Sequence, residues 1–151
     1  MSGSERLKPV ERLTDQRKDQ AAAELSRAES ELRQREAKLE EVLEMRREYH
    51  RQLTEGGQTI EAARLRDFNA FLTRLDEAIV QQRELVAQQQ RQVTQLHRQW
   101  LRRWGEHRSM EKVIERRAEA ERLEAERRER READELARML FQARQDGSGP
   151  E

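Results

Sequence analysis

The chain is expected to be all-α, two long helices folded into an antiparallel coiled-coil hairpin with the second helix overhanging the first. Three observations predict this. Leu25, Leu32, Leu39 and Leu53 fall at multiples of seven, and Phe68, Leu72, Leu75, Ile79, Val86, Val93, Leu96 and Trp100 form a second series; both follow the 3.5-residue seam of a coiled coil. Between the series stands Gly56-Gly57, the only double glycine, and no proline occurs from Val10 to Gly149. Charged residues make up 41% of the chain and hydrophobic ones 34%, which suits a seam better than a globular core. Ala, Leu, Glu, Gln and Arg dominate and β-branched residues are scarce, so no segment reads as a strand.

Taken in order, residues 1–12 are polar, contain Pro9 and read as a flexible lead-in. Helix one is expected over 13–54, with Thr14 or Asp15 as its cap. Residues 55–58 form the hairpin loop, in which Gly56 or Gly57 takes the positive φ that ends a helix. Thr59 caps helix two, expected over 59–145, and Glu61 lies in its first turn, where the dipole favours an anion. A loop this short forces neighbouring helices to run antiparallel. Centred between the two glycines, the hairpin pairs residues whose numbers sum to about 113, so that Tyr49 faces Arg64 to Phe68, Leu39 faces Arg74 and Leu75, and Leu13 meets Trp100. Helix one would then be roughly 63 Å long and helix two roughly 130 Å. The coiled coil is expected to reach about residue 100. Beyond it, Glu115 to Glu135 is an almost solid run of Glu, Arg and Ala, followed by the apolar cluster Leu136, Met139, Leu140 and Phe141 and a disordered tail over 146–151. Such a helix buries nothing alone, and packing by a partner is the usual remedy.

The 31 basic and 31 acidic residues cancel, so no overall field attracts nucleic acid or anionic membrane. Cysteine is absent, which removes disulfides, thiolate chemistry and sulfur-ligated metal. No apolar run approaches the roughly 20 residues of a membrane span, and Met1-Ser2-Gly3-Ser4-Glu5 lacks the apolar stretch of a secretory signal, so a cytosolic location is expected. No phosphate-cradling glycine loop and no nucleophile beside a base is present, so neither enzymatic activity nor a cofactor is expected. His50, His97 and His107 are never three or four residues apart, so no helix face offers a ligand pair for metal, and all three read as solvated surface residues.

Two features rise above this background. Tyr49, Phe68 and Phe71 gather near the loop, half of all the Phe, Tyr and Trp residues. One reading places Phe68 in the seam with Tyr49 covering it; the other is that Phe68, Phe71, Leu72 and Leu75 spread over more than one helix face, so that part of the group lies at the surface as a docking patch. Arg98 to Arg131 carries twelve basic residues against eight Glu and opens with Trp100 and Trp104. Glu is interleaved at nearly every turn and would repel phosphates, so insertion into a protein ring or groove of mixed charge is the better reading than nucleic acid.

The ordered set Glu48-Tyr49-His50-Arg51-Gln52-Leu53, Phe68-Asn69-Ala70-Phe71-Leu72-Thr73-Arg74-Leu75-Asp76-Glu77-Ala78-Ile79, Trp100 and Asp134-Glu135-Leu136-Ala137 resembles the flagellar FliJ family over nearly the whole chain. The resemblance implies a non-enzymatic component of the bacterial flagellar type III export apparatus, shaped like the coiled-coil central stalk of rotary ATPases. It implies that the chain termini enter the export ATPase hexamer (FliI-like) and promote its assembly, that the hairpin contacts the cytoplasmic domain of the export gate (FlhA-like), and that export chaperones are escorted. The chain would be a monomer alone and would associate peripherally with the membrane-embedded apparatus at the flagellar base. Carried over by position, gate contact falls on Val42, Met45, Tyr49, Phe71, Leu75 and Gln82, with Met45 and Gln82 departing from the family pattern. ATPase contact falls on Arg127, Arg128, Arg131, Asp134, Glu135 and Leu136. The alternatives are the equivalent stalk of a virulence injectisome, or a self-associating scaffold zipped along the second seam from Phe68 to Ile114.

Overall fold

The structure, a computed structural model, describes residues 2–55 and 61–147. Two α-helices account for them, α1 (Gly3–Glu55) and α2 (Ala62–Gly147), and no strand occurs among the described residues. The two helices pack against each other as an antiparallel hairpin. The expected glycine stop at Gly56 or Gly57 and the Thr59 cap lie outside the described residues. Glu61 precedes α2, and its carbonyl accepts the first helical bond, from the Leu65 N–H at 3.0 Å, so Glu61 stands at the cap position.

The chain divides into two compact parts, Arg17–Arg103 and the pair of segments Met1–Gln16 and Trp104–Glu151. In the first, the buried residues of α1 are Ala21, Leu25, Ala28 and Val42, and those of α2 are Leu75, Ile79, Val86 and Gln89. On each helix these positions are three or four apart or separated by multiples of seven, the coiled-coil seam that the leucine series predicts. The densest packing joins Val42, Leu75 and Ile79, with Leu39, Leu43, Phe71, Leu72 and Ala78 against them. Ala21 and Ala28 are small, which lets the backbones approach. At Ala28 the approach admits a buried amide: Gln89 Nε2 donates to the Ala28 carbonyl at 3.0 Å and to Glu31 Oε2 at 3.3 Å. The seam position Arg46 reaches Asp76 across the pair.

These partners shift the register from the expected one, although Tyr49 does meet Phe68, at the edge of its expected range. Ala28 with Gln89 sums to 117 and Arg46 with Asp76 to 122, above the expected 113. A heptad seam looks alike every seven residues, so its periodicity does not single out one register.

In the second part, α1 begins at Gly3 rather than at residue 13, and Pro9, Thr14 and Asp15 lie inside it. Pro9 removes one amide hydrogen bond near the helix start, but the start itself is secured from outside. Glu121 of α2 caps α1: the Ser4 N–H donates to Glu121 Oε1 at 2.9 Å and the Ser4 hydroxyl to Oε2 at 2.7 Å. A carboxylate there satisfies orphan amides and meets the positive end of the helix dipole. Thr14 does not cap; its hydroxyl donates back to the Glu11 carbonyl at 2.8 Å. With α1 reaching Gly3, the stretch of α2 without packing starts at Arg122, not at Leu101, and every residue from there to Gly147 is exposed. Asp146 and Gly147, expected in the tail, complete α2.

Candidate partner-binding surfaces

The strip expected to meet the export gate is built from both helices, and its six members face different ways. Val42 and Leu75 are inside the seam, at 8% and 7% exposure. Phe71 and Gln82 are half-buried. Tyr49, on α1, stacks on the α2 aromatics, its ring 4.3 Å from Phe71 and 5.1 Å from Phe68, both tilted. Tilted rings at such distances add to simple area burial. All three aromatics are half-buried, and the reading in which Tyr49 covers the phenylalanines holds over the exposed aromatic patch. The exposed large apolar side chains of this region are Val80, 66%, Met45, 51%, and Leu65, 41%.

Met45 and Tyr49 share a shallow groove along the outer face of α1, flanked by Glu40, Glu41, Glu44 and Glu48. Each carboxylate has a cation on its own helix: Arg47 binds Glu40 and Glu44, both at 2.7 Å, Lys38 lies 3.4 Å from Glu41, and Arg51 lies 3.1 Å from Glu48. Glu44 first, and Glu40 after it, raise the Arg47 pKa above its ordinary value. At this exposure the pairs contribute little to stability, and their use is to hold an apolar floor inside an ionic rim.

The residues expected to meet the ATPase, Arg127, Arg128, Arg131, Asp134, Glu135 and Leu136, all belong to the exposed end of α2. Arg131 pairs with Glu124 at 3.5 Å, and Arg122 bridges Glu119 and Glu126. Glu119 is lowered and Arg122 raised by that pairing, chiefly through the hydrogen bond between them. Leu136, Met139, Leu140 and Phe141 are each about 60% exposed (59%, 62%, 61% and 63%), an apolar cluster on the stretch of α2 that is exposed throughout.

One constellation escaped the sequence reading. His107, expected to be solvated, has an 11% exposed side chain and lies against α1. Its Nδ1 is 3.1 Å from Thr14 Oγ1, and its Nε2 is 3.0 Å from Glu111 Oε1 and 3.6 Å from Asp15 Oδ1. The spacing of His107 and Glu111 by four was visible in the sequence; their meeting with Thr14 and Asp15 depends on the register. Among the described residues no group of His, Cys, Asp or Glu has the arrangement of a metal site, and no helix is long and apolar enough to cross a membrane.

Residues 3–146 match the family described as Flagellar FliJ protein. No curated protein and no solved structure matches the chain. A match over nearly the whole chain, together with the two-helix hairpin, shows that the chain belongs to the flagellar FliJ family and is a component of the flagellar export apparatus.

Proposed function

We propose that this chain is the central stalk of the export ATPase, binding a FliI-like hexamer, promoting its assembly and linking it to an FlhA-like gate while escorting export chaperones. One observation carries the reading: from Arg122 to Gly147 every residue of α2 is exposed, although Leu136, Met139, Leu140 and Phe141 give that stretch an apolar face. A helix with alternating charge and an uncovered apolar end gains by entering a ring that supplies the missing packing. Arg127, Arg128, Arg131, Asp134, Glu135 and Leu136 are the residues assigned to that contact.

Gate binding is assigned to the region of Val42, Met45, Tyr49, Phe71, Leu75 and Gln82. Met45 and Tyr49 offer the accessible surface, whereas Val42 and Leu75 act from inside the seam by holding the stack in place. The chain works as a monomer in the cytoplasm at the inner face of the cell membrane, peripheral to the apparatus, with no cofactor, no nucleic acid and no chemistry of its own. Family membership favours the flagellar system over the injectisome.

Light scattering of the full chain mixed with the cognate ATPase and nucleotide tests this. A monomer near 18.1 kDa that converts the ATPase to a hexamer supports the stalk, and the same chain ending at Glu121 should lose that effect. A stable dimer that leaves the ATPase unchanged would replace the stalk with the self-associating scaffold.

A further inference from the structure

The two surfaces assigned to partners are chemical complements of each other. The groove on α1 has an apolar floor, Met45 and Tyr49, and the only charged residues of its lining are Glu40, Glu41, Glu44 and Glu48. Those four carboxylates share three cations, since Arg47 serves both Glu40 and Glu44 while Lys38 and Arg51 serve one each. The rim therefore keeps negative charge and spare acceptor capacity. The end of α2 is the reverse. Residues 136–145 contain no Asp or Glu, and their only charges are Arg138 and Arg144. Neither arginine has an ion-pair partner among the described residues. Leu136, Met139, Leu140 and Phe141 are more than half exposed beside them. Arg144 follows Leu140 by four residues and Phe141 by three, and Arg138 precedes Phe141 by three, so each cation borders the apolar side chains on the helix surface. An apolar ridge edged with arginine fits an apolar floor edged with glutamate, the arrangement of a helix lying in a groove.

We propose that the α1 groove, when no other partner is bound, receives the end of α2 from a second copy of this chain. Val42, beside the groove, packs on Leu75 and Ile79, and α2 runs on without a break to Gly147. The end of α2 reaches the groove of its own chain only if that helix breaks, whereas a second copy brings its end intact. The contact joins unlike surfaces, so each copy both gives an end and offers a groove. About ten helical residues take part, roughly 15 Å of helix, which places the contact among weak and reversible ones rather than permanent dimers. Its regulatory meaning rests on the function proposed above. Met45 and Tyr49 are assigned to the gate and Leu136 to the ATPase, so one contact between idle copies covers both surfaces, and either partner must displace the second copy to bind.

Sedimentation velocity of the full chain over a wide range of concentration tests the contact. The average mass should equal the 18.1 kDa monomer when dilute and rise with concentration. Met45→Glu, which puts a carboxylate on the groove floor, and Phe141→Ser should each weaken association by about tenfold. Exchange of charge is the sharper test. A chain with Arg138→Glu and Arg144→Glu, and another with Glu41→Arg and Glu48→Arg, should each fail to associate with itself. An equimolar mixture of the two should associate again, because each unaltered surface meets its natural complement and each altered surface an altered one. All these positions are exposed, and far-ultraviolet circular dichroism should show unchanged helix in every variant. A parent chain that stays monomeric at every concentration overturns the proposal, as does a mixture that stays monomeric. Association that survives in both charge-altered chains also overturns it, being the behaviour of two chains zipped along the seam from Phe68 to Ile114. ATPase assembly is read separately: its absence beside intact self-association refutes the proposed function alone, and hexamer formation by a parent that never self-associates refutes only the contact between copies.

Discussion

Replacing Gln89 by leucine and by alanine should have unequal consequences, because the two changes remove the same hydrogen bonds but only one leaves a space. Gln89 is 4% exposed, and its Nε2 donates to the Ala28 carbonyl and to Glu31. The Ala28 carbonyl lies within α1, whose own helical bonding remains, and Glu31 is exposed, so neither partner is orphaned when the amide goes. The lost hydrogen bonding then costs a net of about 1 kcal/mol. In Gln89→Ala the packing of roughly two further side-chain carbons is lost at about 0.8 kcal/mol each, giving about 2–3 kcal/mol in total. In Gln89→Leu new apolar burial offsets the bond, and stability should lie within about 1 kcal/mol of the parent. Urea unfolding followed by circular dichroism at 222 nm resolves the two: with a slope of about 2 kcal/mol per molar, their midpoints should differ by roughly 1 M. If leucine destabilises as much as alanine, the buried amide is worth far more than a net hydrogen bond and the packing argument fails.

Four further outcomes are expected. Ile79→Ala, in the cluster with Val42 and Leu75, should cost about 2–4 kcal/mol, read as a lower urea midpoint. Gly105→Ala should raise thermal stability by about 0.5–1 kcal/mol, since a Cβ at Gly105 meets nothing within 4 Å and glycine is a poor residue in a helix interior. Glu121→Gln should speed exchange at residues 3–16. Because the Glu121 pKa is lowered in the folded chain, its contribution is present above the ordinary carboxylate range and lost as pH falls through the lowered value, so parent and variant should converge in acid. Ending the chain at Glu121 should leave the unfolding midpoint within about 1 kcal/mol of the parent, since residues 122–147 are all exposed; a larger loss would mean that this stretch packs on something.

The surfaces proposed to bind partners were legible only in outline. The exposed, charged end of α2 follows from a run of Glu and Arg without a seam, and the apolar cluster at Leu136 to Phe141 is visible as a departure from that run. For the strip proposed to meet the gate, composition located the aromatics but not their facing. Periodicity leaves Phe68, Phe71 and Tyr49 on adjoining faces, and whether they point at solvent or at each other depends on how the two helices are rotated. The stack of Tyr49 on Phe71 and Phe68 answers that, and leaves Met45 as the accessible apolar member.

What the sequence by itself determined is the class of structure: helix from composition, two helices from the double glycine, and a seam from residues spaced by threes and fours. These are local properties, decided by backbone propensity and by which side chains share a face. Register and the extent of pairing belong to the tertiary structure alone, because a seven-residue repeat is compatible with several alignments. The structure takes the one in which Gln89 finds the Ala28 carbonyl, Arg46 finds Asp76, and Glu121 caps α1 at Ser4. That alignment carries α1 through Pro9 to Gly3, moves the start of the unpacked helix to Arg122, and encloses His107 between Thr14, Asp15 and Glu111. The groups in that cluster are separated by up to 97 residues in sequence (Thr14 to Glu111), a distance over which no local pattern carries information.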